Sequence, residues 1–243
     1  MPPEELDHLS DQMKDLDPSG PPVARIIYRS TKRIDDRGGK LGILDSSFNP
    51  MTFAHTKMIE ETRRMIGAGE MLLMLSGANV DKKIFGADLG QRLAMMKAFA
   101  STESDLSVAG CSHARFIDKA IALRPLYPDA TSFFFILGFD TLQRLFDPKY
   151  YDDMESDLSE LFSLCSIVSA NRDRNSQGEM QEFMKRPECK PYSHRVHFIN
   201  LSETYASMSS SHVRKRIQRN LSVQDLVPKP IEEAIRSFGI YQD

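Results

Sequence analysis

Two short stretches carry side chains whose types and spacing suit phosphate chemistry. In Asp45-Ser46-Ser47-Phe48-Asn49-Pro50-Met51-Thr52-Phe53-Ala54-His55, Thr52 and His55 stand three apart at the expected start of a helix, so both side chains point off the same end. Free backbone N–H groups and the positive end of the helix dipole gather at such an end, and an imidazole there can donate to a phosphate oxygen. The competing reading is an Asn-Pro turn feeding a helix, with His55 a surface residue of its first turn. In Ser207-Met208-Ser209-Ser210-Ser211-His212-Val213-Arg214, three consecutive serines supply an N-cap and short hydroxyl donors, and Arg214 lies about one turn further in. An arginine there can fork onto phosphate oxygens. Alone, that stretch reads better as a capped, solvated basic helix, since Lys215, Arg216 and Arg219 also point outward. Lys82 and Lys83 suit the distal phosphates of a nucleotide, or form a solvated pair. Asp140, just past Gly138, suits a ribose hydroxyl or a helix cap. Arg172 has the weakest independent case.

These residues make one site only if the fold gathers them. From Lys40 onward, apolar runs alternate with helical spacing. Strands are expected at Leu41–Leu44, Met71–Leu75, Leu106–Gly110, Ser132–Leu137, Ser166–Ala170 and Val196–Leu201, with helices between them. That alternation predicts an α/β, Rossmann-like, doubly wound parallel sheet. Ser132–Leu137, apolar on both faces, reads as a central strand. Ligands of such sheets bind outside the carboxyl ends of the strands. Every expected strand end but the third carries a polar or cationic group there, and this convergence outweighs any single motif.

Composition narrows the classes. The chain has 243 residues and a net charge of −3, so no global basic field draws nucleic acid or acidic membranes. No apolar run approaches the ~18 residues of a membrane span. The three cysteines form no CxxC pair. His194 and His197, three apart in a strand-like stretch, face opposite sides, and no metal site is expected. GxSxG, Walker A and GxGxxG patterns are absent from the sequence. Residues 1–22 read as an acidic, loosely docked arm unlike a leader, with Leu6, Leu9, Met13 and Leu16 along one side of a short helix. Residues 23–243 read as a single domain, within which 172–195 is expected to be a mobile loop or lid. A cytoplasmic location follows as the expectation, with the nucleus as the alternative.

Taken together, Ser46–His55, Leu137-Gly138-Phe139-Asp140 and Met208–Arg214 resemble the nucleotidyltransferase superfamily with its (H/T)xGH and ISSTxxR signatures. In order and spacing they are most similar to nicotinamide mononucleotide adenylyltransferases, whose eukaryotic SFNPxTxxH form Ser47–His55 matches, and they look like a divergent fungal branch. The resemblance implies the nucleotidylyl transferase fold and adenylyl transfer from ATP, with Mg²⁺, to nicotinamide or nicotinate mononucleotide. It also implies roles. His55, Thr52 and Arg214 would be catalytic, with Ser47, Phe48, Lys82, Lys83, Ser209, Ser210 and Ser211 on ATP. Gly138, Asp140 and Arg172 would bind the dinucleotide product, and Tyr150 or Tyr151 would replace a stacking tryptophan that this chain lacks. The alternatives are a related adenylyl- or cytidylyltransferase with another phosphate acceptor and an ATP-binding regulatory protein with weak catalysis.

Overall fold

The computed structural model describes residues 3–77, 86–171 and 177–242. Its sheet has the order β1-β4-β3-β2-β5-β6-β7, with β1 Ala24–Tyr28, β2 Lys40–Asp45, β3 Glu70–Ser76, β4 Leu106–Cys111, β5 Ser132–Gly138, β6 Cys165–Ala170 and β7 Val196–Ile199. Strands β2 to β7 are parallel, and β1 closes the β4 edge antiparallel. The order reverses between β2 and β5, the kind of switch point at which open parallel sheets hold ligands.

Alternation along the strands divides the core in two. Leu44, Met71, Leu73 and Leu75 point to one face, under α2 (Phe53–Ile66), α3 (Leu89–Ala100), α9 (Ser210–Gln218) and α10 (Lys229–Phe238). Leu41, Ile43, Leu72, Met74 and Phe135 point to the other, under α4 (Phe116–Leu123), α5 (Phe139–Leu145) and α6 (Met154–Leu164). A strand buried on both sides must be apolar throughout, and the Phe-rich β5 lies between β2 and β6 as its composition predicts. At the amino ends of the strands, buried Glu70 accepts from Arg29 Nη1 (3.2 Å), Tyr127 OH (3.2 Å) and the Ile34 N–H (3.0 Å). Those donors satisfy a carboxylate that burial would otherwise penalise.

Several sequence expectations are revised. The expected arm holds a helix, α1 (Pro3–Lys14), whose Leu9 and Met13 are buried with nearby Leu16 in the α3 face. A Cβ on Gly90 of α3 would collide with Ser10 Oγ, and one on Gly110 of β4 would lie 2.5 Å from Met13 Sδ. Both glycines therefore admit α1, and the apolar spacing outweighs the acidic, proline-flanked composition. Strand β1 was not expected, because its five residues show no alternation clear enough to separate from loop. Of the expected mobile stretch, the described part contains α7 (Gln177–Phe183) and a 3₁₀ turn at Lys190–Arg195, with Met180, Phe183, Met184 and Cys189 buried. Met180, Phe183 and Met184 are spaced i, i+3, i+4, the helical signature hidden among polar neighbours. That turn also removes His194 from the strand that holds His197. The last strand stops at Ile199, and α8 (Glu203–Ala206) precedes α9. Among the described residues no helix is long and apolar enough to cross a membrane.

Candidate active site

The carboxyl ends of β2, β3, β5 and β6 and the turns beyond them open into one cavity of about 650 Å³, lined by both His55 and Arg214. Its first wall is the turn from β2 to α2. Phe48 adopts φ 42°, a left-handed conformation uncommon for a residue with a side chain. Burial of its ring and of Asn49 holds the turn there. Asn49 Oδ1 accepts from Tyr241 OH (2.7 Å) and from the Ala87 N–H (3.3 Å). Arg92, almost wholly buried, donates from Nε to Ala87 O (2.8 Å) and from Nη1 to Ser47 O (3.3 Å).

The second wall is the amino end of α9, fastened directly to the first. Ser210 Oγ donates to Pro50 O at 2.7 Å. Arg214 Nη1 donates to Asn49 O at 2.5 Å, and Nη2 donates to Ser211 Oγ at 3.1 Å. Ser209 caps the helix by accepting the His212 N–H at 3.2 Å. The two motifs, far apart in sequence, form a single bonded unit. Burial lowers the pKa of both Arg92 and Arg214, yet an arginine starts high enough to remain a cation at working pH.

His55 is oriented by its own helix start. The Thr52 N–H donates to His55 Nδ1 at 3.0 Å, and Thr52 Oγ1 lies 2.9 Å from the same nitrogen. Accepting that N–H puts the lone pair on Nδ1, so the proton of the neutral ring sits on Nε2. Nε2 lies 3.2 Å from Ser46 Oγ, and both residues line the cavity. The expected set of free N–H groups at this helix end is corrected. Phe53 N–H donates to Leu226 O and His55 N–H to Thr52 O, so these two are engaged within the protein. Thr52 and Phe48, expected at the ligand, are fully buried and do not line the cavity. Thr52 holds the imidazole, and the Phe48 ring packs behind it with centroids 5.5 Å apart.

The opposite side of the cavity is built by the other face of the sheet. Gly138 is the N-cap of α5 at φ −78°, and a Cβ there would meet no atom within 4 Å. Neither backbone nor packing within the chain demands glycine at this position. Asp140 is exposed in the first turn of α5 rather than at its cap, because the helix begins at Phe139. Tyr150 and Tyr151 line this side, and Tyr151 OH donates to Leu145 O at 2.6 Å. Burial pushes the Tyr151 phenol up to about 12.

The third strand end, expected to contribute nothing, supplies Arg115, Phe116 and Lys119 through α4. Lys119 Nζ pairs with Asp45 Oδ2 at 2.6 Å and lies 5.0 Å over the Phe116 ring. Sequence reasoning missed Arg92 and Lys119, though each leaves a trace. Arg92 interrupts the stripe Leu89, Leu93, Met96, and Lys119 the stripe Phe116, Ala120, Leu123. A charge on an apolar stripe of a buried helix needs a partner or a ligand. Of the other expected site residues, Ser47, Ser209, Ser210 and Ser211 line the cavity. Lys82, Lys83 and Arg172 lie outside the described residues.

The cytidylyltransferase-like family model matches residues 43–216, from within β2 to within α9. The chain belongs to that family. This cytidylyltransferase-like chain is 28% identical to a protein of Dehalococcoides mccartyi over 83% of its own length and 97% of the relative's. That relative is provisionally named a nicotinate-nucleotide adenylyltransferase. It is 34% identical over 58% of its length, and 57% of the relative's, to a Schizosaccharomyces pombe protein provisionally named a nicotinamide mononucleotide adenylyltransferase. A solved structure of Plasmodium falciparum nicotinic acid mononucleotide adenylyltransferase complexed with NaAD superposes with a TM-score of 0.63 at 18% identity. It covers 83% of this chain and 97% of the Plasmodium chain. At that identity the likeness is one of fold: the Rossmann-like parallel sheet expected from the alternation of strands and helices, in the nucleotidyltransferase form that the motif resemblance implies.

Proposed function

We propose that the chain transfers the adenylyl group of ATP to nicotinamide mononucleotide, giving NAD and pyrophosphate, with nicotinate mononucleotide as the related acceptor. The observation that carries this reading is the bonded unit of the His55 and Arg214 motifs on one wall of a cavity whose other wall is aromatic and glycine-edged. The names of the bacterial and fungal relatives support the same substrates.

The chemistry asks little covalent work of the protein. A phosphate oxygen of the mononucleotide, already anionic at neutral pH, bonds to the α-phosphorus of ATP as the bond from that phosphorus to the bridging oxygen breaks. The electron pair leaves with pyrophosphate. Alignment and stabilisation of the departing charge are therefore the main tasks. His55 Nε2–H donates to a non-bridging α-phosphate oxygen, while Ser47, Ser209, Ser210, Ser211 and Arg214 hold the β- and γ-phosphates. Gly138 lets a ribose approach the α5 backbone, Asp140 accepts from its hydroxyls, and Tyr150 and Tyr151 flank the pyridinium ring. Lys82, Lys83 and Arg172 keep their expected roles, toward the distal phosphates and the adenosine side. Mg²⁺ would arrive with ATP, since this ion keeps water and phosphate ligands.

Incubation of the purified chain with MgATP and the mononucleotide, followed by chromatography, is expected to show NAD and pyrophosphate in equal amounts. No NAD above a His55→Ala control overturns the reading. Pyrophosphate release with a different acceptor in a small panel, or ATP binding without turnover, points to the alternatives.

A further inference from the structure

We propose that the Asp45–Lys119 pair reads the substituent on the pyridinium ring and selects the carboxamide over the carboxylate; this rests on the adenylyl-transfer reading above. Asp45 is the last residue of β2, next in the alternating series after Leu41 and Ile43, so its side chain faces α4. Lys119 lies one turn into α4 on the stripe with Phe116 and Leu123, with its side chain only 3% exposed. The two meet at 2.6 Å, Ser76 Oγ donates to the other carboxylate oxygen at 3.4 Å, and all three residues line the cavity. Phe116, Tyr150 and Tyr151 line the same side, offering aromatic surface to a flat cationic ring.

A buried ion pair contributes little net stability, because desolvation offsets most of its attraction and apolar residues of similar volume often serve as well. Packing therefore gives little reason for a charged pair on the mutually facing apolar sides of β2 and α4 beside a cavity. Its hydrogen-bonding character supplies one. The pair presents an acceptor, the Asp45 carboxylate, beside donors, the remaining Lys119 N–H groups. A carboxamide matches that pattern, with N–H toward Asp45 and C=O toward Lys119. A carboxylate is acceptor-only, so it meets Asp45 as a like charge while Lys119 is already neutralised. Among the described residues the other cations on this side, Arg115 and Arg144, are exposed, and Arg115 is paired with Asp157. Neither offers a desolvated contact for the acid.

The test compares kcat/KM for nicotinamide and nicotinate mononucleotides, using the full chain and MgATP. The wild-type chain is expected to favour the amide by about tenfold or more, the scale of one hydrogen bond to a charged group gained or left unmade. Asp45→Asn is expected to shift the ratio toward the acid, and Lys119→Met to shift it further toward the amide. Opposite shifts distinguish selection from a structural role, which would lower both substrates together. Acid preference in the wild type, or an unmoved ratio in Asp45→Asn, overturns the proposal. Should Asp45→Asn not fold, Asp45→Asn/Lys119→Met removes both charges, and its ratio is expected to fall toward unity. Should that variant also fail, calorimetric affinities of the wild type for the two mononucleotides decide. Transfer to neither mononucleotide defeats the adenylyl-transfer reading itself, whereas transfer to both without preference defeats only this inference.

Discussion

Arg214 offers the sharpest test of how the site works, because its guanidinium does two jobs that substitution can separate. One job is mechanical: Nη1 on Asn49 O at 2.5 Å and Nη2 on Ser211 Oγ at 3.1 Å hold the α9 end against the β2–α2 turn. The other, under the adenylyl-transfer proposal, is electrostatic: a fixed cation where pyrophosphate charge would develop. Arg214→Lys keeps the cation but loses the fork, since an ammonium is a point donor on a flexible stem. Losing one charge-assisted hydrogen bond at ~1.5–3 kcal/mol lowers kcat roughly 10–150-fold. Arg214→Met also removes the charge, a change comparable to deleting an oxyanion donor at ~2.7–4 kcal/mol, so its loss is expected to be about 10²–10³-fold. In both variants the mononucleotide KM should stay within about threefold, because the contact strengthens toward the transition state. Desolvation lowers the pKa of a cation at this position. The lysine variant should therefore lose activity on the alkaline side at a pH where the arginine enzyme holds its rate. The assay couples NAD formation to alcohol dehydrogenase and follows NADH absorbance, with thermal unfolding as the control. A well-folded Arg214→Lys within about twofold of wild-type kcat, or a loss confined to mononucleotide KM, would refute the reasoning.

Three further outcomes are expected. Gly138→Ala meets no protein atom and needs no unusual backbone, so Tm should hold while the mononucleotide KM rises about tenfold by steric exclusion, as titration of initial rates will show; an unchanged KM would remove Gly138 from the site. Met13→Ala empties a fully buried position under α1 at a cost of about 2–5 kcal/mol, lowering Tm by about 4–20 °C in a scanning-fluorimetry melt; a shift under about 1 °C would mean that α1 is not docked. Burial pushes Cys165 and Cys189 up to about 12 and raises Cys111, so at pH 8 all three thiols are protonated and should ignore Ellman's reagent until denaturant is added. Rapid labelling of the native chain would contradict this.

The sheet was legible because β2 to β6 bury both faces and so repeat an apolar pattern that few other arrangements require. The elements missed are those whose signal depends on a distant partner. β1 gains its identity from the β4 edge, and α7 shows only two apolar residues, Met180 and Phe183, among polar ones. At the site, His55, Arg214, Gly138 and Asp140 stood out because their spacing from strand ends is local. Thr52 and Phe48, expected at the ligand, lie buried behind the cavity lining, since sequence spacing gives direction but not depth. Arg92 and Lys119 escaped because they sit inside apolar helix stripes, where a charge makes sense only once its neighbours across the fold are known.

The docking of α1 and the pairing of β1 bear on how the chain can be shortened. Both precede the matched span that begins at residue 43. A fragment trimmed to that span would leave the amides of β4 as an open template for foreign strands and bare the Gly90 flank of α3. Such a fragment should precipitate even though every cavity-lining side chain up to Arg214 is retained. Protein prepared for crystals or assays should keep the acidic leading segment, and an affinity handle belongs ahead of it on a spacer.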